Sequence, residues 1–462
     1  MLQTASMQGS TPVLRDLLLV GGGHAHVHTI KMFGMKPMEG VRVTLITRDI
    51  ETPYSGMLPG YVAGFYTREE SHIDLGRLCS FAGVRLVHAE ACGLDVVEKF
   101  VHCQDGRPPI RYDVVSLDIG ITPKAHPGAG GLGGDVGITA VKPIDSFAAR
   151  WEAILKRCLA SDTTATTRTR KMNIVVVGGG GGGVELAFAV HQRLHAELRK
   201  AGHDSPADLV AVTVLQRGPN LMSSHHPRVQ ALVGRRLQSK GISVRLGTEV
   251  VGAETGVLVD QRGDRVSFDE AIWCTEAATQ PWVQHCPGLA TTLEGFVNVG
   301  PTFESTTAPD VFACGDVAHL SHAPRPKAGV FAVRAGPPLT ANLRHRLLGE
   351  PLEEWVPQES FLGIIGTGDG SAIASKGETA LEGEFLWRLK DSIDRTWMRG
   401  YQQLPDREAM MSQMAAASAS ASASAVGGAG GGLLKFFPSL ACGAGAAAPR
   451  WGKACSRALS RP

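Results

Sequence analysis

No two of the nine cysteines form a C-x-x-C pair; they stand apart at positions 79, 92, 103, 158, 274, 286, 314, 442 and 455. An odd, scattered set builds neither a zinc cluster nor the disulfide framework of a small secreted domain, and points to a reducing compartment. The sequence also lacks a run of the roughly 18 apolar residues that a membrane-spanning helix needs, so a soluble or peripheral protein is expected. Met1 to Asp16 holds one Arg and no apolar stretch of signal-peptide length, which argues against secretion and leaves organellar targeting open. An excess of one charge is missing too: 46 Lys and Arg stand against 44 Asp and Glu, a net +2. Phosphate-backbone binding needs basic residues concentrated on one face, so nucleic acid is not an expected partner. The expected location is cytoplasmic, or peripheral on a membrane.

What is present is glycine, 56 residues in 462, and it is concentrated at two telling places. Leu17 to Val20 stops at GGGHAHVHTIKMF, and Ile174 to Val177 stops at GGGGGGVELAFAVHQRL. In each, a short apolar strand ends at glycines and continues as a helix, the opening of a dinucleotide-binding unit. A further strand follows each, Val41 to Thr47 and Leu209 to Gln216. Two such units about 150 residues apart predict an α/β protein of two Rossmann-like domains, one inserted into the other.

Gly21 and Gly23 take the first two positions of G-x-G-x-x-G; the third is His26, with His24 and Ala25 between. The first glycine permits the tight turn and the second lets backbone approach a pyrophosphate at the helix N-terminus. Thr47, followed by Arg48, stands where an acid would hold a ribose hydroxyl. Gly178, Gly180 and Gly183 complete the pattern at the second turn. There Gln216 and Arg217 replace the acid; an Arg accommodates the 2′-phosphate of NADP, so NADH and NADPH both stay open. Glu185 either binds the nicotinamide end or pairs within its helix. His24, His26 and His28 do not form a metal site on one face of a helix, and their expected place is the turn.

Further along, Tyr112 to Ile119 reads as a buried strand, PKAHPGAGGLGGD as a crossing loop and Val141 to Cys158 as a helix. Phe361 to Lys376 reads as strand, turn and strand. Glu382 to Tyr401 is an amphipathic helix whose Trp387, Arg388, Lys390, Arg395, Trp397 and Arg399 suit either an interfacial membrane contact or packing on the protein or a dimer partner. The expected divisions are a flexible N-terminus over 1–15, a first dinucleotide domain over 16–160 continued over 284–350, and a second over 170–283. An interface or membrane-facing segment follows over 351–405, then an Ala/Ser/Gly low-complexity tail over 406–462 with no fold of its own.

CGDVA at Cys314 to Ala318, after TTAPDVFA, resembles the second FAD motif of the pyridine nucleotide-disulfide oxidoreductase superfamily. LDIGITP at Leu117 to Pro123 and IWCTEAATQPW at Ile272 to Trp282 are similar to other motifs of that superfamily. The resemblance implies FAD at the first turn, with Gly315 and Asp316 at the ribityl chain, and NADH or NADPH at the second turn. It further places Gly56 and Met57 near the ring, Lys327 to Gly329 at the start of a helix facing the flavin O2 edge, and Lys142 as another flavin neighbour. Without a redox cysteine pair the disulfide enzymes fit poorly. The type II NADH dehydrogenases are similar from about residue 15 to 400, and imply hydride transfer to FAD and on to a quinone or other small acceptor. GGGHAHVH, TPYSGMLPGYVAG, HIDL and WRLKDSIDRTWMRGYQQLP resemble more closely the NADH-dehydrogenase-like module fused ahead of selenide, water dikinase. That implies this kinase as a candidate partner. Two other readings stay open: a sulfide:quinone oxidoreductase-like enzyme, and a non-catalytic regulatory module tied to selenophosphate synthesis.

Overall fold

The computed structural model describes residues 12–123, 137–142, 144–160, 171–275 and 277–407, with residues 409 and 412. The crossing loop, the linker before the second glycine run and nearly all of the low-complexity tail lie outside the described residues. In chain order the first part comprises β1 (Arg15–Val20), α1 (His24–Met35), β2 (Val41–Thr47), β3 (Arg85–His88) and β4 (Val114–Leu117). Next come β5 (Ile138–Ala140), α2 (Ile144–Ala160), β6 (Met172–Val177), α3 (Gly181–Lys200), β7 (Val210–Gln216) and α4 (Pro227–Ser239). After β8 (Ser243–Leu246) and β9 (Glu270–Trp273), β10 (Val311–Ala313) and α5 (Gly329–Leu348) return to the first domain. The chain then forms β11 (Gly363–Gly366), β12 (Ala372–Lys376), β13 (Thr379–Gly383) and α6 (Glu384–Gln402).

Two five-stranded sheets carry the fold, in orders β10-β4-β1-β2-β3 and β5-β9-β6-β7-β8. All pairs within them are parallel. Their strands are apolar on both faces, as parallel sheets covered by helices require: Leu17 to Val20 and Ile174 to Val177 are all buried. The two sheets share one layout, with the glycine-ended strand central and the chain crossing from one side of it to the other. Ligands of such sheets bind outside the carboxyl ends of the strands where that direction reverses. The reversal lies between β1 and β4 in the first sheet, and between β6 and β9 in the second.

One strand departs from the sequence reading. Ile138 to Ala140, within the stretch expected to close the first domain at residue 160, pairs with β9 and so belongs to the second sheet. The physical reason is register: three buried residues, Ile138, Thr139 and Ala140, after a Gly/Pro-rich stretch fit the open edge beside Ala271 to Trp273. The C-terminal segment has three antiparallel strands instead of two, with α6 packed on β11 and β12.

Helices α1 and α5 pack face to face because small residues let them. A Cβ on Gly336 would lie 2.8 Å from His28 Cβ, and the Thr29 and Thr340 hydroxyls hydrogen-bond at 2.9 Å. Helix α3 sits equally close to its strand, since a Cβ on Gly183 would stand 2.0 Å from the Gly178 carbonyl oxygen. Gly183→Ala should therefore lower stability by about 1–3 kcal/mol through overpacking. Gly180→Ala, where a Cβ meets nothing within 4 Å, should cost much less. Thermal unfolding of the two variants checks this, and equal melting temperatures would contradict it.

Candidate functional site: a dinucleotide cleft over the first turn

The first turn is built on β1, β4 and α1. Gly21 has φ +91°, and a Cβ there would meet the Asp118 carbonyl oxygen at 2.4 Å, so only glycine fits. Helix α1 has no cap from its own N-cap residue, Gly23. The cap comes from across the turn. Asp118, just beyond β4, accepts the Gly23 amide on its carbonyl oxygen at 3.1 Å. Its Oδ2 accepts the Ala25 and His26 amides at 3.0 and 3.2 Å. Burial raises its carboxyl to about 7, against the lowering effect of those amides.

His26 explains the missing third glycine. Its ring is fully buried, with Nδ1 2.7 Å from the Gly21 carbonyl oxygen and Nε2 2.8 Å from the Ser116 hydroxyl. A carbonyl only accepts, so Nδ1 carries the proton and Nε2 accepts from Ser116. Helix and strand are thus joined by a neutral imidazole where a glycine would let them touch.

Gly21, Gly23 and His24 line one cleft together with Thr47 and Arg48 at the end of β2. Lys142, Asp316 and Gly329 reach it from the other side. Lys142 follows β5 of the second sheet and Asp316 follows β10 of the first. Their 2.7 Å ion pair therefore joins the two domains across the cleft. Gly315, at φ +65°, would drive a Cβ to 2.4 Å from Asp118 Oδ1. Helix α5 starts at Gly329 with no side-chain cap, so its N-terminal amides face the cleft. Lys327 donates to the Ala318 carbonyl and lies 4.0 Å over the Phe296 ring; burial lowers its ammonium to about 8.

Gly56 and Met57 stand apart from the cleft. Met57 is fully buried and the Gly56 carbonyl accepts from Lys390 Nζ, whereas their neighbours Pro53 and Ser55 line the wall. The Thr47 hydroxyl donates to the Asp49 carbonyl, and Arg48 pairs with Asp49 and Glu90. Asp49 and Glu90 also line the cleft, which puts acids at the end of β2 and just beyond β3 where Thr47 seemed to leave none.

The second turn is open. Gly178 has φ +116°, the Gly179 amide donates to Gln216 Oε1 at 2.9 Å, and no side chain caps α3 at Gly180. Arg217, largely exposed at the end of β7, lies 3.7 Å from Glu249. Glu185 turns toward the C-terminal sheet: its Oε1 accepts the Gly366 amide at 2.8 Å, and burial raises its carboxyl while Lys390 opposes that.

Lys390 is the residue whose place the sequence reading missed. It sits buried on α6 and pairs with Asp394 at 2.8 Å. Burial disfavours its charge, but Glu185 and Asp394 more than offset that and raise its ammonium. The spacing of Lys390 and Asp394, four apart on a helix, was the available signal. Trp397 likewise turns inward, stacked on Tyr54 at 4.2 Å and 5.4 Å from the His24 ring. His24 in turn hydrogen-bonds Ser55 at 3.1 Å. No group of three His, Cys, Asp or Glu among the described residues is arranged to hold a metal.

This arrangement has relatives. The family model for pyridine nucleotide-disulphide oxidoreductases matches residues 15–336. The chain belongs to that family, whose members are oxidoreductases built on two dinucleotide-binding domains. It is 27% identical over 151 residues to a type II NADH:quinone oxidoreductase of Haemophilus influenzae, 32% of this chain and 34% of that protein. The chain thus spans about a third of the length of the curated relatives it matches. Among solved structures, NDH2 from Plasmodium falciparum in complex with NADH superposes with a TM-score of 0.67 at 13% identity, covering 85% of this chain and 99% of that one. The sulfide:quinone oxidoreductase of Aquifex aeolicus gives 0.66 at 18% identity, covering 83% and 90%. These structural likenesses establish the fold.

Burial holds His24, His26 and His28 each at about 4, below their ordinary 6.5. Groups depressed on folding give stability that is present above pH 6.5 and lost as pH falls through 4. Asp118 acts oppositely, gaining stability between pH 7 and 3.8, but three imidazoles outweigh one carboxyl. The urea midpoint should fall on acidification from pH 6.5 to 4. His26→Gln should be less stable at pH 7 by about 1–3 kcal/mol and show a shallower acid slope. An unchanged slope in His26→Gln would contradict this.

Proposed function

We propose that this chain is an FAD-dependent oxidoreductase that takes hydride from NADH or NADPH and passes electrons to a quinone or another small acceptor. The observation that carries the reading is the Lys142–Asp316 pair spanning two sheets of one layout, above a cleft into which α1 and α5 both point their N-termini.

The residues fit a dinucleotide. Glycines stand wherever a Cβ would block the approach, and the amide ends of α1 and α5 favour anionic groups. Gly21 to His24 would hold the FAD pyrophosphate and Asp316 the ribityl hydroxyls, with Lys142 neutralising Asp316. Gly329 and Lys327 would face the O2 edge, where a helix end and a nearby ammonium favour the negative charge of a reduced ring. Bound flavin would supply the two-electron chemistry. The chain's own work is to orient the two dinucleotides and keep water out. Pro53 and Ser55 on the cleft wall, and Trp397 stacked on Tyr54 behind them, support that role. At the second turn the uncapped α3 terminus suits the nicotinamide dinucleotide, with Arg217 at the ribose end.

A quinone acceptor is supported by the NADH:quinone relative. The sulfide-oxidising alternative needs reactive thiols near the ring. Burial instead raises Cys314 well above its ordinary value and Cys274 to about 12, which makes both poor nucleophiles. Phe385 and Ile393, exposed beside Arg388 on α6, support a peripheral membrane contact or a homodimer contact. No helix among the described residues is long and apolar enough to cross a membrane. The likeness of the first-turn shell to the selenide, water dikinase-fused module extends the partner proposal to that kinase. A regulatory, non-catalytic role is the alternative the test must defeat.

The purified full chain should be yellow, bleach anaerobically under NADH or NADPH, and recover its absorbance on adding a soluble quinone. Asp316→Ala should lose most of its flavin while keeping its melting temperature within a few degrees. A protein that stays colourless after incubation with FAD would defeat the proposal.

A further inference from the structure

A carboxylate that caps a helix N-terminus sets a negative charge beside any pyrophosphate bound at that end. Asp118 is in that position. It is 3% exposed, holds the Ala25 and His26 amides on Oδ2, and turns Oδ1 toward Gly315. The charged and titratable groups around it come from every neighbouring element. Asp316 and Cys314 stand on the segment after β10 and His26 on α1, while His24 and Lys142 line the same cleft; Lys327, before α5, faces Asp316 and Lys142. Lys142 is paired with Asp316 at 2.7 Å, and Asp118 has no ion-pair partner of its own among the described residues. The equivalent place above the second turn, just beyond β9, holds Cys274, which carries no charge. At this place the two turns therefore differ by one buried carboxyl, and it lies under the turn that the proposed function gives to FAD.

We propose that Asp118 takes up a proton when a dinucleotide binds at the first turn. The proton comes from solvent and settles on Oδ1, while Oδ2 keeps the two amides; the neutral carboxyl then no longer repels the incoming diphosphate. The inference rests on the reading of this turn as a pyrophosphate site. Its cause is electrostatic. Two phosphate charges, Asp316 and an ionised Asp118 in one desolvated cleft repel one another strongly, and the carboxyl is the group able to shed its charge. Burial already brings Asp118 to about 7 before any ligand arrives, and a neighbouring diphosphate raises it further. By linkage, affinity is level below that pH and weakens above it, by up to tenfold per pH unit, until the bound form also ionises.

The test uses the full chain freed of flavin and titrated with FAD. Flavin fluorescence gives Kd from pH 6 to 8.5, and calorimetry in two buffers of different ionisation enthalpy gives the protons taken up. The expected result is a Kd level near pH 6, a rise of about fivefold between pH 7 and 8, and uptake approaching one proton at pH 8. Asp118→Asn keeps an acceptor for the helix amides and should abolish both effects between pH 7 and 8. Any slope that remains above pH 8 belongs to Lys327, whose ammonium sits at about 8. A level Kd without proton uptake in the unaltered protein would overturn the proposal, as would an Asn variant that keeps the slope below pH 8. If that variant does not fold, the calorimetry of the unaltered protein decides alone. FAD that fails to bind at any pH would instead remove the assignment of the turn itself, a result distinct from tight binding without proton uptake.

Discussion

The start of α1 is held by one buried carboxyl, and the geometry of the cleft follows from that contact. Asp118 ties three amides of the turn to the end of β4, Gly23 through its backbone carbonyl and Ala25 and His26 through its carboxyl. His26 adds a second tie from the helix to Gly21 and Ser116. With α1 fixed in this way, its close packing on α5 fixes a second helix N-terminus at the same cleft. The two helix ends are thus fixed in place before any anion arrives, the kind of preorganisation a tightly held cofactor requires.

The C-terminal segment completes the site instead of merely following it. Helix α6 lays Trp397 on Tyr54 and sends Lys390 to the Gly56 carbonyl. Glu185 of α3 reaches the same segment through Gly366. Elements from both dinucleotide domains therefore meet on α6 and the sheet before it. A buried ammonium among Glu185, Asp394 and a carbonyl is stable only with those partners in place, so the arrangement also fixes which face of α6 turns inward.

Much of this was legible in the sequence. The two strand-to-glycine junctions marked both turns, because an abrupt stop of a β-branched run at glycine has few other physical meanings. The extent of α6 followed from its amphipathic spacing, and Asp316 with Lys142 were both singled out, although not as partners. What escaped depends on tertiary neighbours. Ile138 to Ala140 is too short to declare a sheet, and its partner lies more than 130 residues further on. Asp118 lies in a stretch that resembles a superfamily motif, yet an acid closing the run VVSL is itself a signal of a capping role. Lys390 was grouped with the basic residues of an interfacial face, since only the fold reveals that Asp394 and Glu185 surround it. In the sequence His26 only replaces the third glycine of the pattern, whereas in the structure it is a polar bridge.

On this reading the cleft over Gly21 to His24 would seat a flavin dinucleotide and the α3 terminus a nicotinamide one. A crystal structure of the full chain soaked with FAD and NADH tests it most directly. The FAD pyrophosphate is expected at the start of α1, its ribityl chain against Asp316 and its ring against the wall that holds Ser55 and Gly329, with the NADH pyrophosphate at Gly180. Density for FAD anywhere else, or a first cleft that stays closed by side chains at saturating FAD, would contradict it.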